Sequence, residues 1–103
     1  MIRVSVLYPN GPDASFNIEY YRTQHLKLVK DRVGSALVSV EINSDLGSAV
    51  PGEPAPFIAA AHLLFNSVED FQASFGPHAE EIMADMPNFT EIEPVVQISE
   101  IVG

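Results

Sequence analysis

The stretch Phe57–Phe65 (FIAAAHLLF) constrains the fold more than any other part of the chain. It predicts a strand. Alternation sends Phe57, Ala59, Ala61, Leu63 and Phe65 to one side and Ile58, Ala60, His62 and Leu64 to the other. Both sides are apolar, whereas a solvated sheet face shows polar alternation, so both must be covered. Alanine is a poor strand former. Three in a row point either to space for something bulky beside the strand or to close packing by large neighbours. With 103 residues the chain builds one core, so one domain spanning residues 1–103 must cover this strand twice.

The remaining elements follow from periodicity and breakers. Ile2–Tyr8 predicts a strand, ended by the loop Pro9-Asn10-Gly11-Pro12-Asp13. Phe16–Val33 reads as one amphipathic helix. Asn17 is its N-cap, Glu19 sits in the first turn, and Gly34 is the stop. Phe16 and Tyr21 have the spacing of a hydrophobic staple. Ala36–Ile42 predicts a second strand. The long loop 43–56 is either a tolerated insertion or a substrate lid. Ser67-Val68-Glu69-Asp70 opens a helix with Val68, Phe71 and Phe75 inward, broken at Gly76-Pro77. HAEEIMADM predicts a short further helix ended by Pro87, and Ile92–Val102 a fourth strand with Pro94 near its start.

The order βαββαβ, with right-handed crossovers, gives an α+β ferredoxin-like fold: a four-stranded antiparallel sheet with both helices on one face. Two helices cover one face only. The other side of strand three, and most of strand four, is left over, so a second copy of the chain is expected to cover it in a homodimer with sheets face to face.

Charge and composition exclude several functions. Five basic residues against fourteen acidic ones, net −9, leave no basic stripe for nucleic acid. No apolar run approaches the ~18 residues that span a membrane. Cysteine is absent, which removes disulfides, thiolate nucleophiles and thiolate metal sites. The N-terminus lacks a signal-peptide pattern, so a cytoplasmic protein is expected. No HxH, HExxH, glycine-rich phosphate loop or nucleophile elbow occurs, and no metal or cofactor is expected.

What remains is His25, near the middle of the long helix's apolar face. Tyr21 lies four residues earlier and about 40° away around the axis, so the two meet one cavity. Leu28 shares that face. Tyr8 ends the first strand, and Ala60 and His62 belong to the third. Tyr21, Tyr8, His62, Ala60 and Leu28 are therefore expected around His25. Tyr20 falls on the polar side, solvated or at an interface, and His78 is expected to be exposed. A neutral imidazole is a suitable base near pH 7, and a tyrosine hydroxyl can donate to a developing oxyanion. The set suits proton shuffling beside a carbonyl, as in isomerisation, cyclisation or decarboxylation, on a small apolar or aromatic carbonyl or acid metabolite, with His25 and Tyr21 as the catalytic pair. A second reading is a binding or accessory protein that holds an apolar metabolite for a partner oxygenase. A third is haem ligation through His25 or His62.

The segments VLYPNGP with YYRTQHLKLV, AAHLLFNSVEDFQASFGPHAEEIMADMPNFT and IEPVVQISEIV resemble the EthD family over nearly the whole chain. YYxxxH together with GPHAEEIMAD carries the resemblance. It implies a ferredoxin-like protomer in a dimeric α/β barrel, with a ligand cleft between sheet and helices. It also implies a loose association with oxidoreductases and catabolism, since the family is named for a protein encoded beside a cytochrome monooxygenase system for ether degradation. The family's helix histidine maps onto His25 and its strand histidine onto His62. Two positions depart from the family pattern. Phe89 replaces a tyrosine in Pro-Asn-Tyr-Thr, and Lys27 stands where many relatives have proline.

Overall fold

The computed structural model describes all 103 residues. Four strands, β1 (Ile2–Pro9), β2 (Ser39–Ser44), β3 (Phe57–Phe65) and β4 (Val95–Glu100), form one antiparallel sheet in the order β2-β3-β1-β4. The first helix, α1, is continuous but built in three pieces: α-helical Ile18–Tyr20, a π turn over Tyr21–His25, and α-helical Leu26–Val33. Then come α2 (Val68–Phe75) and α3 (Ala79–Ala84), joined by the 3₁₀ turn Gly76–His78. This is the expected βαββαβ order.

The ends of α1 are set locally. The Asn17 side chain accepts from the Tyr20 N–H at 3.1 Å, satisfying an otherwise orphaned donor. At the far end Gly34 has φ 70°, a conformation that glycine adopts without strain. The 3₁₀ turn Gly34–Ala36 takes up Ala36, and after Leu37 and Val38 β2 runs over Ser39–Ser44 rather than the expected 36–42. β4 is shorter than the expected 92–102. Pro94 has no N–H to pair just before it, and Glu100 is already opposite Ile2, the first residue of β1.

The register decides which side of β3 meets the helices. Ile2 pairs with Phe65, Val4 with Leu63, Val6 with Ala61 and Tyr8 with Ala59. These residues pack with Tyr21, Val29, Val33, Ile82 and Phe89 into one core, with Phe65 fully buried at its base. The opposite face carries Ser5, Leu7, Ile58, Ala60, His62 and Leu64. Of these only Ser5 is buried; the other five are half-buried. No helix is long and apolar enough to cross a membrane.

Candidate functional site

His25 comes from the π turn of α1. There the Leu26 N–H reaches back to the Tyr21 carbonyl, five residues earlier, and places one extra residue in the turn. The Tyr21 and His25 rings stack, with centroids 5.2 Å apart and planes 18° apart. Phe89 tilts against the same imidazole at 4.6 Å. Tyr8 and Phe16 complete the cluster, each within 5.6 Å of Tyr21. Phe89 is held to the start of α1 by backbone pairing: the Asn17 N–H donates to its carbonyl at 2.8 Å, and Phe16 bridges Thr90.

The chain's second contribution is Asp85, between α3 and the 3₁₀ turn Met86–Asn88. Its Oδ2 lies 2.9 Å from His25 Nδ1. Its Oδ1 accepts from the Tyr20 hydroxyl at 2.7 Å and from the Asn88 amide at 2.8 Å. Burial works against ionisation of Asp85, but the donations from Asn88, His25 and Tyr20 outweigh it and hold the carboxyl below the usual carboxylate range. An ionised carboxylate only accepts, so His25 Nδ1 donates to it, and in the neutral ring Nε2 carries the lone pair. Nε2 has no partner in the protein. No fully buried side-chain polar atom lacks one, so Nε2 is reachable from outside the ring's packing. Burial pushes His25 below its ordinary value, and Asp85 offsets only part of that. The imidazole is therefore neutral near pH 7.

His25 lines a cavity of about 150 Å³ between the sheet and the helices. A cavity of that size and lining holds a ligand of roughly one aromatic ring. Its walls are Val4, Val6 and Tyr8 of β1, Ala61 and Leu63 of β3, Val40 and Ile42 of β2, and Tyr21, Leu26 and Val29 of α1. Phe71, Phe75, Ile82 and the methionines 83 and 86 close the helix side, with Pro94 and Val96 at the β4 edge. His25 is the one lining side chain that changes charge near neutral pH. Burial raises the phenols of Tyr8 and Tyr21 above the usual tyrosine value, so both remain donors.

The structure thus brings His25, Tyr21 and Tyr8 together but separates three other expected neighbours. Ala60 and His62 lie on the opposite face of the sheet. There His62 Nδ1 lies 2.9 Å from the Ser5 hydroxyl. Alternation separates them from Ala61 and Leu63 as expected. What β3 could not reveal is which of its two apolar faces the helices take. Leu28 packs beside the core, while Leu26 and Val29 line the cavity instead. Tyr20 is half-buried and donates to Asp85 at 2.7 Å, and His78 is half-buried rather than exposed. Asp85 itself escaped the sequence reading. It lies 60 residues from His25, outside any local motif, and an aspartate at a helix end reads as a surface residue.

Comparison with known proteins agrees with this architecture. A family model described as the EthD domain matches residues 11–93. The solved structure of an EthD-like protein from Ralstonia eutropha JMP134 is 38% identical, covers 99% of this chain and 92% of its own, and superposes with a TM-score of 0.94. An ethyl tert-butyl ether D (EthD) family protein from Bacillus halodurans C-125 is 15% identical over 99% of both chains, with a TM-score of 0.70. A dimeric protein of ferredoxin-like fold from Bacteroides fragilis NCTC 9343 is 14% identical over 97% of this chain and 95% of its own, with a TM-score of 0.58. At those lower identities the likeness is one of fold. No curated protein matches the chain. The family model and the Ralstonia structure together show that this chain belongs to the EthD family.

Proposed function

We propose that the protein is a small enzyme, acting without a cofactor, that moves a proton beside the carbonyl of an apolar or aromatic carbonyl or acid metabolite. The observation that carries this reading is the Asp85–His25 pair opening onto an apolar cavity. His25 Nε2 takes a proton from the carbon next to the carbonyl. Asp85 holds the ring's tautomer and stabilises the imidazolium that forms. Tyr21 or Tyr8 donates to the oxygen on which negative charge develops. The imidazolium then returns the proton at a new position. Screening by NMR in D₂O, against a panel of apolar carbonyl compounds and aromatic acids, identifies the substrate by proton exchange or conversion. His25→Ala is expected to lower kcat/KM by about 10²–10⁴-fold.

A second reading, a binding protein that holds an apolar metabolite for a partner oxygenase, draws on the cavity's almost wholly apolar lining. It predicts ligand-dependent thermal shifts without product. Conversion by the purified protein alone, seen by mass spectrometry, overturns it.

The proposed working unit is a homodimer with the outer sheet faces packed together. Support comes from the half-buried Leu7, Ile58, Ala60 and Leu64 on that face. The Bacteroides structure that shares the fold is described as dimeric.

A further inference from the structure

The charges around the cavity narrow the ligand further, granted the reading of this cavity as a ligand site. We infer that the site selects an uncharged molecule of about one six-membered ring and discriminates against carboxylates. Every lysine and arginine is placed elsewhere. Arg3 is exposed, opposite Leu64 on the outer sheet face. Arg22 pairs with Glu19 at 3.0 Å and Arg32 with Glu81 at 2.7 Å. Lys27 and Lys30 are exposed on α1. None lines the cavity. Behind the imidazole lies the Asp85 carboxylate, 2.9 Å from its ring nitrogen and held ionised by three donors. The whole chain adds a net charge of −9. A bound carboxylate would therefore lose its water, meet no lysine or arginine and face the like charge of Asp85 behind the imidazole, each of which costs binding free energy. A ketone, aldehyde, lactone or quinone of the same bulk meets none of these penalties. It needs only one donor, which Tyr8 or Tyr21 can supply.

Acetophenone and benzoate are near-isosteric and test this directly by calorimetric titration of the intact protein at neutral pH. Acetophenone is expected to bind at least about tenfold tighter than benzoate, a modest fraction of what a buried unpaired carboxylate costs. Met83 sits at the cavity mouth and is 54% exposed, so Met83→Lys places a cation there without disturbing the core. That variant should narrow the ratio by strengthening benzoate binding relative to acetophenone. Benzoate binding as tightly as acetophenone to the unaltered protein overturns the inference and leaves the cavity as the ligand site. Binding of neither overturns the cavity reading and the inference with it.

Discussion

His25 and Asp85 fix each other's charge, and the sign of each shift makes a prediction. Burial lowers the His25 value below 6.5, so the unfolded ring binds a proton more readily than the folded one. The stability contributed by neutral His25 is complete above about pH 6.5 and is lost as pH falls through the folded value. Asp85, lowered below 3.8, adds a second loss at more acid pH. The urea midpoint of the unaltered protein should fall between about pH 7.5 and about pH 5, and His25→Gln should flatten that slope. An unchanged slope in the variant contradicts burial of a neutral ring. Because Asp85 raises the His25 value, Asp85→Asn should move the NMR titration midpoint of His25 further down, not up. It should also lower kcat/KM by about 10²-fold. Of this pair the sequence revealed His25, because a short titratable side chain stood out on an apolar helix face. Asp85 stayed hidden, since its partner is 60 residues away in the chain. Phe89 was visible as a departure from the family pattern. Only the structure shows that its ring, 4.6 Å from His25, is part of what dries the imidazole.

At the scale of elements, caps and breakers were the legible features. Asn17 and Gly34 bound α1, Ser67 opens α2, and β3 spans the nine residues its composition marks. Ser67 accepts from the Asp70 N–H at 3.1 Å. Ser67→Ala should therefore cost about 1 kcal/mol and lower Tm by about 4–8 °C. Calorimetry showing no change would mean that water replaces the cap fully. The π turn was not legible, because a projection at 100° per residue assumes an unbroken α-helix. The extra residue alters the phase between the two halves of α1. Tyr20, assigned to the polar side, instead reaches Asp85, and Tyr21 still stacks on His25. π turns are frequent at functional sites, and this one carries His25, the proposed base.

The whole molecule is a slab of 41 × 34 × 18 Å with a radius of gyration of 14.1 Å, against about 12.8 Å for a compact chain of this length. Its accessible surface, 6462 Å², exceeds the roughly 5,700 Å² typical of an 11.2 kDa monomer. A flat shape with an uncovered sheet face accords with the proposed dimer. Sedimentation should give about twice 11.2 kDa for the unaltered protein, and Leu64→Glu, on the outer face, should halve it. A monomer without the substitution contradicts the pairing. That surplus of apolar strand surface was legible from FIAAAHLLF alone, because composition counts faces even when it cannot say which partner covers each. The central claim, that His25 is the base of a proton transfer inside the cavity, is tested most directly by turnover. Once a substrate is identified by NMR in D₂O, kcat/KM is compared between the unaltered protein and His25→Ala, with folding of the variant verified. A loss of about 10²–10⁴-fold is predicted; turnover undiminished in the variant contradicts it.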